Sequence, residues 1–113
     1  MPKSIIIKKS GSPDVLELQD VNVGSPGPDE IKVTNHAIGL NYIDTYHRSG
    51  LYPLKLPSGI GLEAAGKVEE IGENVKEFNI GDNIAYASMP LGAYSQQRII
   101  PSKIAVKVPD GIS

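Results

Sequence analysis

Turn-forming residues set the first limit on this fold. Glycine and proline occupy 21 of the 113 positions, 12 and 9 respectively, so the backbone must change direction often. Between these breakers the apolar residues are mostly β-branched, with 14 Ile and 8 Val against 8 Leu. Two substituents on Cβ suit a pleated strand better than a helix. An all-helical bundle is excluded on this basis, and a TIM barrel is excluded by length. The length fits one domain, residues 1–113, with enough surface to bury for folding without staples. No cysteine is present, which removes disulfides, a thiolate nucleophile and thiolate metal sites. The formal net charge is −2. Its 11 cations are scattered from Lys3 to Lys107, with no basic stripe for nucleic acid. Apolar runs are only a few residues long, too short for a membrane span or a leader. The expectation is a soluble, cytoplasmic protein.

Residues 4–9 read as a strand. After the turn cluster at Gly11-Ser12-Pro13-Asp14, residues 15–21 alternate Leu16 and Leu18 with Glu17 and Gln19. This predicts a hairpin with one solvated face. Residues 24–28, Gly-Ser-Pro-Gly-Pro, form a loop. Residues 30–38 form the clearest strand, with Ile31, Val33 and Ala37 on one face and Lys32, Thr34 and His36 on the other. Tyr42 to Ser49 is the best helical candidate, with Asn41 at the N-cap, Asp44 in the first turn and Gly50 as the stop. Residues 61–72 read as a glycine-punctuated strand, with Val75, Phe78 and Ile80 as core contacts beyond it. Further strands are predicted at 84–87, 93–100 and 103–108. The fold class is mainly β: a barrel or sandwich with one or two short helices.

Several familiar motifs fail on context. Gly59-Ile60-Gly61-Leu62-Glu63-Ala64 matches a dinucleotide fingerprint, but Leu56-Pro57-Ser58 precedes it and a strand-like segment follows. The true motif needs a buried strand before it and a helix after it. Two histidines without cysteine cannot build a structural zinc shell. A site from Asp44, His47 and Glu63 is the most that could be assembled. No Gly-x-Ser-x-Gly elbow supports a hydrolase. The polar, aromatic segment from Gly39 to Pro53 is different. Tyr42 and Tyr46 lie at i,i+4 on one helix face, with Tyr52 following in a loop. Phenols and a carboxamide sharing a cleft can hydrogen-bond a carbonyl or an amide-bearing ring, whereas capping and aromatic packing account for the same residues without a ligand.

The run IGLNYIDTYHRSGLYPLKLPSGIGLEAAGKVEEIGENVKEFNIGDNIAYASMPLGAYSQ resembles the N-terminal catalytic domain of the medium-chain dehydrogenase/reductase superfamily. Within it the chain is most similar to the zinc-free NADPH:quinone oxidoreductases, the zeta-crystallin-like branch. The opening Gly11-Ser12-Pro13-Asp14-Val15-Leu16 is similar too, so the resemblance covers essentially the whole chain. Where zinc alcohol dehydrogenases read Gly-His-Glu-x-x-Gly, this chain reads Gly61-Leu62-Glu63-Ala64-Ala65-Gly66, without the ligand. The zinc cysteine ahead of the first helix is also replaced, at or beside Asn41.

The resemblance implies a GroES-like, partly open β-barrel and hydride transfer from NADPH to a quinone-like small molecule, with no metal. It places Asn41, Asp44 and Tyr46 at the nicotinamide and makes Tyr46 or Tyr52 the proton donor, with Glu63 in support. It also implies that NADP(H) is held mostly by a Rossmann domain. These 113 residues do not contain one, so the expected partner is such a domain, separately encoded or lost by truncation. The resemblance leaves homo-oligomerisation open. The alternatives are a non-catalytic β-barrel binding or assembly module and an inactive remnant of a split gene.

Overall fold

The computed structural model describes residues 2–51 and 54–109. Tyr52, one of the two expected proton donors, lies outside the described residues. The strands are β1 (Lys3–Ile7), β2 (Leu16–Asp20), β3 (Glu30–Gly39), β4 (Ser58–Gly59), β5 (Glu63–Ile71), β6 (Asn83–Ala87), β7 (Gln97–Pro101) and β8 (Val106–Lys107). One α-helix among the described residues, α1 (Tyr42–Ser49), joins β3 to β4. The strands form two antiparallel sheets, in the orders β2-β1-β4 and β7-β3-β5-β6-β8.

The segment ahead of β7 stitches the sheets together. Ser4 bridges to Ser95, with their hydroxyls 2.8 Å apart. The Ile5 N–H donates to the Tyr94 carbonyl at 2.8 Å, and the Asn35 N–H donates to the Gln96 carbonyl at 2.9 Å. Residues 94–96 therefore touch β1 on one side and β3 on the other. The result is the mainly β, partly open barrel expected from the sequence.

The core lies inside the larger sheet, where Ile31, Val33, Ile84 and Ile100 are fully buried and Val75 and Phe78 seal the end. Four local expectations need correction. Ala37 is exposed rather than sharing the face of Ile31 and Val33, because β3 bulges between Asn35 and Ala37 and one extra residue reverses the facing parity. The bulge lies against Gly66, where any Cβ would strike the Thr34 carbonyl. Ile80 is 67% exposed at the tip of a turn closed by Asp82 N–H donating to the Asn79 carbonyl at 3.1 Å. Leu18 is 65% exposed, although the hairpin itself forms with Ile5 opposite Leu18. Residues 103–108 begin in a 3-10 turn, Ser102–Ile104, which leaves only the two residues of β8 as strand.

Candidate active site

The helix α1 begins where the sequence places it, and its caps explain why. Asn41 is extended at φ −126° and ψ 153°, and its carbonyl accepts the Asp44 N–H at 3.0 Å. The Asp44 carboxylate reaches back, its Oδ2 accepting the Asn41 N–H at 3.1 Å. An acid in the first turn also meets the positive end of the helix dipole. At the other end Gly50 takes a left-handed φ of 89° and donates to the Tyr46 carbonyl at 3.1 Å. Arg48 ties this end to the barrel, its Nε donating to the Gly11 carbonyl at 3.1 Å.

Asp44 is not a surface cap. It is 2% exposed, and its Oδ2 also accepts the Tyr94 hydroxyl at 2.6 Å. Asp44 Oδ1 is buried with no hydrogen-bond partner among the described residues. Burial of the Tyr94 phenol, followed by its hydrogen bond to Asp44 and that carboxylate's charge, raises its pKa above the ordinary value, against the opposing charge of Arg48. The Tyr94 ring fits over Gly61, whose φ is 97° and where any Cβ would collide with it. The expected dinucleotide decoy is therefore a structural device: Gly61 makes room for an aromatic ring, and the chain proceeds into β5.

Beside the helix start, the Glu63 carboxylate folds over Gly39, which has no Cβ to obstruct it. Asn41 Nδ2 donates to Glu63 Oε1 at 3.5 Å, a long contact. Glu63 stands between two clefts. One, of about 520 Å³, is lined by Leu40, Asn41, Tyr42 and Thr45. The other, of about 570 Å³, is a mainly apolar groove running from Gly39 and Glu63 past Ala65 and Ala87 to Val106.

The structure thus brings Asn41, Asp44 and Glu63 together around the helix start. Tyr46 is 39% exposed a turn further along, while Tyr42, 84% exposed, forms the wall of the smaller cleft. His47 is buried and His36 exposed. Among the described residues no three His, Asp or Glu side chains gather into a metal-sized cluster. Sequence reasoning missed Tyr94 entirely. Its partner lies 50 residues away, and no local pattern announces such a pairing.

Residues 27–110 match the family described as the alcohol dehydrogenase GroES-like domain. The chain belongs to this family. Its GroES-like domain is 52% identical over 113 residues to a quinone oxidoreductase of Pseudomonas aeruginosa, covering 99% of this chain and 35% of that protein. It is 44% identical to a 2-haloacrylate reductase from a Burkholderia species, covering 96% and 34%. Among solved structures, Escherichia coli quinone oxidoreductase complexed with NADPH superposes with a TM-score of 0.96 at 46% identity, covering 98% of this chain and 34% of that one. The chain spans about a third of the length of the curated relatives it matches.

Proposed function

We propose that this chain is the substrate side of an NADPH-dependent, zinc-free quinone oxidoreductase. One observation carries the reading: a carboxamide and a carboxylate, Asn41 and Glu63, meet at the start of a half-buried helix beside open clefts. The chain as a whole superposes closely on part of a quinone oxidoreductase complexed with NADPH. The residues present fit a nicotinamide. A half-exposed carboxamide offers both donor and acceptor to an amide-bearing ring, and the groove beside Glu63 is apolar enough for a planar conjugated carbonyl.

The cofactor would supply a hydride to the quinone or conjugated carbonyl and leave as NADP+. A quinone is already electrophilic, so the chain's task is to orient it and supply a proton to the developing oxyanion. Asn41 orients the ring, held from behind by Asp44. The Tyr46 or Tyr52 phenol donates the proton, and Glu63 braces the Asn41 carboxamide. Leu62 stands where a zinc alcohol dehydrogenase carries a histidine ligand, which accords with hydride transfer that does not use zinc. Most of the nucleotide would be gripped by a dinucleotide-binding domain, joined to this chain or supplied separately. A cytoplasmic location suits a soluble cofactor of this kind, and no described helix is long and apolar enough to cross a membrane.

The test is NADPH oxidation by a panel of quinones, using this chain together with a dinucleotide-binding domain. Quinone-dependent turnover is expected; its absence across the panel would overturn the assignment. Tyr46→Phe and Tyr52→Phe are each compared with the parent. Loss of the true proton donor should lower turnover by about a hundredfold, the low end for a positioned acid. A tyrosine whose replacement leaves the kinetics unchanged is removed from the mechanism. The 113 residues alone should bind NADPH weakly, and micromolar binding by calorimetry would contradict the division of labour.

A further inference from the structure

Helix capping does not need what surrounds Asp44. A solvent-facing aspartate would accept the Asn41 N–H equally well and support the helix start in the same way. Here the carboxylate is instead 2% exposed, and burying a charge is costly unless donors compensate it. The Tyr94 hydroxyl is such a donor, at 2.6 Å on the same Oδ2 that holds the Asn41 N–H.

Tyr94 is itself fixed from three directions. Its N–H donates to the Ile60 carbonyl at 3.0 Å and its carbonyl accepts the Ile5 N–H at 2.8 Å. Its ring occupies the slot that Gly61 leaves open. The phenol and carboxylate share the wall of a small pocket of about 50 Å³ with Thr45 and Arg48, and a hydrogen bond to a buried ion is strong and directional. A hydrogen-bonded path thus runs from β1 and the segment leading into β5 through Tyr94 and Asp44 to the backbone of Asn41.

We propose that Tyr94 is a positioning residue: its hydroxyl, acting through Asp44, fixes the Asn41 backbone at the helix start and so sets where the Asn41 carboxamide enters the cleft. This rests on the functional reading above only in assigning the cleft to nicotinamide and quinone. The mechanical part, that Tyr94 orders Asn41, stands apart from it. Small displacements of an orienting group are expensive in rate, so a strut that costs a buried charge has a use at a reacting centre that an exposed cap lacks.

The experiment is a double-mutant cycle in the chain assembled with its dinucleotide-binding domain. Tyr94→Phe keeps the ring over Gly61 and removes only the hydroxyl. It should lower kcat/KM about tenfold in the parent, well within what misplacing an orienting group costs. In an Asn41→Ala background it should lower kcat/KM less than about twofold, because the group it positions is gone. Additive losses would overturn the proposal, as would an unchanged kcat/KM for Tyr94→Phe alone. A second readout needs no turnover: the side-chain amide resonances of Asn41 should broaden or shift in Tyr94→Phe while those of Asn74, bonded to Asp29 at the opposite end of β3, stay fixed. An unmoved Asn41 signal sinks the strut even if the assembly reduces no quinone, and a moved signal without turnover sinks only the functional reading. If Tyr94→Phe does not fold, Asp44→Asn replaces it in the same cycle with the same expected non-additivity.

Discussion

Asp44 shows how much one side chain decides when it is buried. Its carboxylate joins a helix cap to a phenol 50 residues away, so Tyr94 holds its proton more tightly in the folded chain than in the unfolded one. The raised phenol pKa gives this a sign. In the unfolded chain a tyrosine titrates near its ordinary value of about 10. The stabilisation is therefore complete below that pH and declines as pH rises past it toward the folded-state value. Tyr94→Phe should be less stable than the parent at neutral pH, with the gap closing above about pH 10, as followed by denaturant midpoints. A constant gap would show that the phenol does not titrate differently in the folded state. Gly61→Ala attacks the same contact from below, pushing a methyl group into the Tyr94 ring at a positive φ. Overpacking of this kind should cost about 1–3 kcal/mol in chemical unfolding.

At the scale of elements, the helix and the long strands differ in how openly the sequence announces them. The bounds of α1 are legible because its determinants are local: Asn41 and Asp44 at one end, Gly50 at the other. Gly50→Ala should destabilise the chain by about 1–2 kcal/mol, since a left-handed φ is costly for a residue with Cβ and the added methyl would also press on Ser10. The bulge in β3 is not legible. It exists because Thr34 approaches the backbone of β5 at Gly66, and the alternation within residues 30–38 carries no trace of that partner. Gly66→Ala should therefore be more damaging than Gly50→Ala, measured as a larger fall in melting temperature.

Across the whole molecule, two isoleucines only four positions apart separate the core from the surface. Ile84 is fully buried and Ile80 is 67% exposed. Replacing Ile84 with Ala should cost about 2–5 kcal/mol, whereas Ile80→Ala should stay within about 0.5 kcal/mol. Equal losses in equilibrium unfolding would contradict the packing described. What the sequence by itself determined was whatever depends on near neighbours. β-branched runs between breakers gave a β-rich barrel or sandwich, cap chemistry gave the helix, and the glycine fingerprint was rejected because no helix follows it. The residues quoted from 38 to 96 also carried the family resemblance. Only the tertiary structure decided that Tyr94 meets Asp44, that Gly61 exists for an aromatic ring, that Glu63 folds over Gly39 toward Asn41, and that Ala37 faces out. The physical reason is common to all four. Each is a contact between segments distant in the chain, fixed by strand register and close approach, and a linear pattern of residue types holds no information about which surfaces will be brought together.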